Sequence, residues 1–268
     1  MKTVPVGLHA AVIPQADLRR GLKAASSAGF SAYEPEAARL SGYSRERLNG
    51  DNALRESLNL SWGPLNELQV FAPEPRYNST LDLAVELDIT ALTLIPGSGS
   101  VSFDEAVEEL RGLRENAGAR GLSLYFEMLC FRDRPFHTVE QSLQLVEATG
   151  IKLVVDTFHF IASGAEPENI AKIPKEMIGV VHISDALTRG RSVSQIVDED
   201  RVLPGEGVLD LVTTMEALRR TGYHGLMSVE VFHPKYAKEE PESVARQAYL
   251  RTEKLLKQSG WIHRSEDD

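Results

Sequence analysis

Cysteine is nearly absent. Cys130 stands alone in 268 residues, so no disulfide can form within the chain, and a reducing compartment is its natural setting. Long apolar runs are missing too. No stretch approaches the ~20 residues of a membrane-spanning helix, and Met1–Val6 lacks the apolar core of a secretory signal. The expectation is a soluble cytoplasmic protein. Basic clusters are also missing: the formal net charge is −10, and Lys and Arg are scattered. Nucleic acid and anionic membranes bind through clustered phosphate contacts, which this chain does not offer. There is no Gly-x-Gly-x-x-Gly turn between a strand and a helix, so no hydride-carrying dinucleotide is implied. Gly97-Ser-Gly-Ser100 lacks the Lys-Ser/Thr that completes a phosphate loop and reads as a Gly-rich turn.

What is present is a rhythm. Short apolar runs recur at Val4–His9, Phe30–Glu34, Leu60–Leu65, Ile89–Ile95, Leu122–Glu127, Ile151–Asp156, Ile178–Ser184 and Leu226–Phe232. Between them lie segments with apolar residues three and four apart, such as Phe103–Ala119 and Leu211–Thr221, the period of a half-buried helix. Ser102-Phe-Asp-Glu105 and Thr138-Val-Glu-Gln141 have the spacing of capping boxes. Gly29, Gly121, Gly150 and Gly222 each stand where a helix ends before the next strand. Eight strand–helix units in a chain of 268 residues predict a single (β/α)8 barrel over residues 1–262, followed by a short tail at 263–268. Two loops, 63–78 and 186–208, are longer than a barrel requires. Both follow strand ends, on the face where barrel active sites form.

Four strands end in ionisable residues of one parity. Side chains alternate along a strand, so Glu127 lies opposite Leu122, Leu124 and Phe126, and Asp156 opposite Leu153 and Val155. In the same way His182 lies opposite Val181 and Ile183, and Glu230 opposite Met227, Val229 and Val231. The aliphatic face suits packing beneath helices, which leaves the ionisable residues pointing into the barrel mouth. Three converging carboxylates repel one another and resist burial; a divalent cation removes that cost. Three carboxylates and one imidazole suit Mn2+, Mg2+, Co2+ or Zn2+, with positions left for substrate oxygens. Glu127, Asp156, His182 and Glu230 are therefore the expected metal ligands. His159, just past the sixth strand, reads as a substrate-contacting donor. His9 and Glu34, ending strands one and two, stand at the same rim as further substrate contacts. Cys130, just beyond an apolar strand, reads as packing rather than as a nucleophile.

At these residues the sequence resembles the xylose-isomerase-like barrel superfamily: Glu at strand five, Asp-x-x-His at six, His-x-x-Asp at seven and Glu at eight. In the C-terminal half three segments resemble its inosose (2-keto-myo-inositol) isomerase group. They are Asp156-Thr-Phe-His-Phe160, Asp198-Glu-Asp-Arg-Val-Leu-Pro-Gly-Glu-Gly207 and Ser228-Val-Glu-Val-Phe-His-Pro-Lys-Tyr236. The resemblance implies the same metal set, substrate contacts at His159 and Arg201, and Glu127 and Glu230 as the proton carriers. Strand one departs from that group, carrying Leu8-His9-Ala10 where the group has a polar Asn-Glu. The zinc-dependent endonucleases of the superfamily need further His ligands. Here strands three and four end in Pro64-Leu65-Asn66 and Ile95-Pro96-Gly97, and Asp200-Arg201 has no His beside it.

The implied reaction moves a proton between carbons flanking a carbonyl of a small polyhydroxylated ketone, an inosose or ketose, through a metal-stabilised enediolate. Removing Arg201, on the long loop after strand seven, is expected to impair turnover while leaving the fold nearly intact. Two rivals share the scaffold: a lyase like 3-dehydroshikimate dehydratase, and a sugar-binding barrel without catalysis. Product mass separates isomerase from lyase. The oligomeric state is not legible in the sequence.

Overall fold

In the computed structural model, residues 4–73, 77–188, 190–192 and 195–262 are described. The expected tail, 263–268, lies outside the described residues. The chain alternates strand and helix: β1 (Val6–His9), α1 (Leu18–Ala28), β2 (Ala32–Glu34), α2 (Ala37–Leu40), α3 (Arg45–Ser57), β3 (Ser61–Trp62), β4 (Leu65–Val70), α4 (Tyr77–Glu86), β5 (Ala91–Pro96), α5 (Phe103–Gly118) and β6 (Ser123–Glu127). There follow α6 (Val139–Thr149), β7 (Lys152–Asp156), α7 (Thr157–Ala162), α8 (Pro167–Ala171), β8 (Ile178–Ile183), the short β9 (Asp185–Ala186) and β10 (Arg201–Val202), α9 (Leu211–Arg220), β11 (Met227–Val229) and α10 (Pro241–Gln258).

Among the described residues, nine strands form one sheet in the order β3-β2-β1-β11-β8-β7-β6-β5-β4, and every pairing in it is parallel. Its two end strands, β3 and β4, are halves of one strand interrupted at Gly63-Pro64. Eight strand positions result, and a parallel bridge from Glu36 to Asn66 joins the seam. This is a (β/α)8 barrel.

The helices form where local chemistry permits. Ser102 and Thr138 complete capping boxes with Glu105 and Gln141, and each such cap contributes about 1 kcal/mol. Gly29 and Gly150 end α1 and α6 in the left-handed conformation, at φ 105° and 69°, which a side chain would oppose. No described helix is long and apolar enough to cross a membrane.

One expected loop is partly strand. Within 63–78, residues Leu65–Val70 pair with β5, with a register shift between Leu65 and Leu68. Glu67 takes a positive φ of 70° at this bulge, and its N–H is held by Thr93 Oγ1 at 3.1 Å. The polar pair Asn66-Glu67 broke the apolar pattern, so alternation alone stopped the strand too early.

Candidate metal centre

Glu127 and Asp156 are the last residues of β6 and β7, His182 lies one residue from the end of β8, and Glu230 follows β11 directly. Each of the four is buried and offers one ligand atom, and these atoms lie within 4.8 Å of one another. The register explains the convergence: His182 is paired with Asp156 on one side and with Ser228 on the other. Strand parity then turns Asp156, His182, Ser228 and Glu230 to one face.

The His182 ring has two different sides. Its Nε2 is 3.0 Å from Glu34 Oε2. Its Nδ1 makes no hydrogen bond among the described residues and faces Glu127 Oε1 at 3.6 Å and Glu230 Oε2 at 3.5 Å. A fully buried ring nitrogen without a hydrogen bond, aimed between two carboxylates, is costly in a protein interior. Such a nitrogen, with three hard carboxylate oxygens beside it, suits a divalent ion. The residues fit a metal.

Arg201 enters the same cluster. β10 pairs antiparallel with β9. Asp185 pins the loop that follows β10, accepting hydrogen bonds from the backbone N–H groups of Gly205 at 3.0 Å and Leu209 at 2.9 Å as well as from its neighbour Ala186 at 2.8 Å. The loop therefore turns Arg201 inward. Its Nη2 donates to Asp156 Oδ2 at 2.5 Å and Glu230 Oε2 at 2.6 Å, and its Nε to Ser184 Oγ at 3.2 Å. Phe158 and Phe232 flank the guanidinium, with ring centres 5.0 and 5.1 Å away.

The other expected substrate contacts all lie close by. His159 is buried; its backbone N–H donates to Asp156 Oδ1 at 2.9 Å as the cap of α7, so the Asp-x-x-His spacing also serves a local structural purpose. Its Nδ1 is 3.4 Å from Cys130 Sγ, and burial lowers its pKa, keeping the ring neutral. His9 is fully buried, its Nδ1 accepts from Ala11 N–H at 3.1 Å, and its Nε2 lies 3.3 Å from Glu230 Oε1. Glu34, read as a rim residue, is instead fully buried behind His182. Cys130 is held as a thiol, its pKa pushed up to about 12 by burial and by the charges of Asp156 and Asp198.

The two glutamates at the cluster differ. Burial and then the charge of Glu230 raise the Glu127 pKa. Burial also works against ionisation of Glu230, but His182, Arg201 and His9 outweigh it and hold the group well below the usual carboxylate range.

Three polar residues here were not read from the sequence as parts of the site: Asn66, Ser184 and Ser228. Ser228 had a signal, because it shares the parity of Glu230. Asn66 had none, since it lies within the bulge between Leu65 and Leu68, where alternation no longer tells which face a side chain takes.

Residues 22–254 match the xylose isomerase-like TIM barrel family. The chain belongs to this family. The inosose isomerase of Bacillus velezensis is 32% identical over 154 residues, which cover 56% of this chain and 54% of that protein. The 3-dehydroshikimate dehydratase of Pseudomonas aeruginosa is 33% identical over 129 residues, 47% of this chain and 20% of that protein. The chain thus spans about half the length of the inosose isomerases it matches and a fifth of the dehydratase. Among solved structures, the IolI protein with a bound zinc atom superposes with a TM-score of 0.86 at 21% identity, covering 97% of this chain and 100% of that one. An L-ribulose 3-epimerase gives 0.74 at 21% identity, covering 99% and 100%. At these identities the superpositions show a shared fold.

Proposed function

We propose that this xylose isomerase-like barrel is a divalent-metal-dependent isomerase or epimerase of a small polyhydroxylated ketone, an inosose or a ketose. The observation that carries the reading is the convergence of Glu127, Asp156, His182 Nδ1 and Glu230 at the barrel mouth. A divalent ion held by these four, when bound, supplies a Lewis acid for adjacent carbonyl and hydroxyl oxygens. The similarity to inosose isomerases over half the chain supports the substrate class.

The protein's own groups divide the remaining work. Glu127 and Glu230 both face His182 Nδ1, at 3.6 and 3.5 Å, and are the carboxylates that take the proton from one carbon and return it to its neighbour or to the opposite face. His159, buried and neutral, can hold a substrate oxygen without competing for the proton. Arg201 steadies Asp156 and Glu230 through Nη2, while among the described residues its Nη1 has only the longer 3.5 Å contact to Asp198, leaving that edge for a substrate oxygen. The surrounding burial of these groups limits water at the reacting carbons.

The experiment is a panel of keto-inositols and ketoses incubated in deuterated water with metal-loaded protein, wild type and Glu230→Gln. An isomerase gives a product of unchanged heavy-atom mass carrying solvent deuterium, and Glu230→Gln slows that exchange far more than it weakens binding. The second reading, a dehydratase, has the 129-residue similarity in its favour, and it predicts a product lighter by one water. Tight binding with neither exchange nor turnover across the panel would leave a sugar-binding barrel.

A further inference from the structure

Behind His182 lies a chain of buried polar groups. Glu34, Asn66, Thr93, His182 and Ser228 are all at most 1% exposed. Their hydrogen bonds run in one direction. The Glu67 N–H donates to Thr93 Oγ1 at 3.1 Å, and the Thr93 hydroxyl donates to Asn66 Oδ1 at 2.8 Å. The carbonyl end of the Asn66 amide is thereby committed as acceptor, so its Nδ2 donates to Glu34 Oε2 at 2.9 Å and to Pro64 O at 3.0 Å. Ser228 Oγ donates to Glu34 Oε1. The Glu34 carboxylate therefore receives donors on both oxygens and can offer His182 only an acceptor.

The barrel reserves space for this arrangement. A Cβ on Gly7 would come within 2.2 Å of Ser228 Oγ, and one on Gly63 within 2.3 Å of Glu34 Cγ. Glycine at both positions lets a full glutamate and its serine partner fit between strands. An acidic group placed this deep meets the cluster through His182.

We infer that Glu34 is a positioning residue that fixes His182 with its proton on Nε2 and its Nδ1 lone pair directed at the ligand cluster. The inference rests on the metal reading of the site. Histidine commonly ligates metals through either nitrogen, and the hydrogen bond made by the other nitrogen decides which one. Here the acceptor at Nε2, 3.0 Å away, makes that choice, and its negative charge raises the donor strength of Nδ1. Among the rim residues expected to touch substrate, Glu34 instead acts through His182.

The test uses zinc-loaded protein with 15N-labelled histidine. Long-range 15N–1H correlation should show His182 protonated at Nε2, with a downfield, slowly exchanging proton, and with Nδ1 on the metal. In Glu34→Gln, which keeps size and an acceptor but loses the charge, that proton should move upfield, and the Kd for Zn2+ should rise roughly 10- to 100-fold. Ser228→Ala, which removes one donor to Glu34, should produce the same changes to a smaller degree. The wild-type spectrum is decisive even if neither variant folds: zinc bound through Nε2 would overturn the inference. Unchanged Kd and an unmoved proton in folded Glu34→Gln would overturn it while leaving the metal site intact. Failure of the wild type itself to bind Zn2+ would overturn the metal reading and this inference with it.

Discussion

Arg201 Nη2 stands 2.6 Å from Glu230 Oε2 and 3.2 Å from the main-chain oxygen of the same residue. The guanidinium is 1% exposed, which changes what its removal should do. An arginine on a loop over the mouth could be deleted with little effect on folding. This one neutralises Asp156 and Glu230 in the interior.

Arg201→Ala is therefore expected to destabilise the metal-free protein by ~3–5 kcal/mol, the cost of breaking a buried ion pair and leaving its partner charges uncompensated. Urea denaturation of wild type and variant measures it. A loss below ~1 kcal/mol, within the range of exposed ion pairs, would mean that solvent reaches the pair.

The four-ligand cluster predicts about one divalent ion per chain, as one tetrahedral or octahedral site requires. Chelation should remove it, and the Asp156→Ala, His182→Ala double variant should not recover it. Metal analysis after dialysis against Mn2+ or Zn2+ settles the matter, and full occupancy in the double variant would refute the assignment.

Metal affinity should increase with pH. Burial disfavours a charged His182, but the carboxylates of Glu230 and Glu34 outweigh it and raise its pKa well above the usual imidazole range. Glu127 is likewise raised, to about 7, by burial and by Glu230. Both groups hold protons that the metal must displace, so binding releases protons and weakens as pH falls through these raised pKa values. Calorimetric titration with Zn2+ near neutral pH, in buffers of different ionisation enthalpy, reads the released protons directly. Equal Kd values on either side of neutrality would contradict the proposed competition.

Two glycines should respond oppositely to alanine. Gly7→Ala places a Cβ 2.2 Å from Ser228 Oγ and should cost ~1–3 kcal/mol, as overpacked cores do. Gly112 lies in α5 with nothing within 4 Å of its added Cβ. Gly112→Ala should stabilise by ~0.5–1 kcal/mol through helix propensity and a less flexible unfolded chain. Thermal unfolding of the pair compares them, and a Gly7→Ala protein as stable as the wild type would show that the space around Ser228 can relax.

The sequence by itself determined the barrel, the four strand ends and the common face of Glu127, Asp156, His182 and Glu230. Those are local properties: a helix period, a capping box or a two-residue alternation is visible within a dozen residues. Only the tertiary structure decided depth and direction. Glu34 and His9 end neighbouring strands and looked alike in the sequence, yet Glu34 lies behind His182 while His9 faces Glu230. How far up the barrel a strand end reaches depends on the tilt and stagger of all the strands together, here including the bulge at Glu67 that breaks the register of β4. The inward turn of Arg201 likewise depends on Asp185 gathering backbone N–H groups from as far along the chain as Leu209. A contact across that many residues leaves no periodicity to read, because it is set by loop closure and packing rather than by any local repeat.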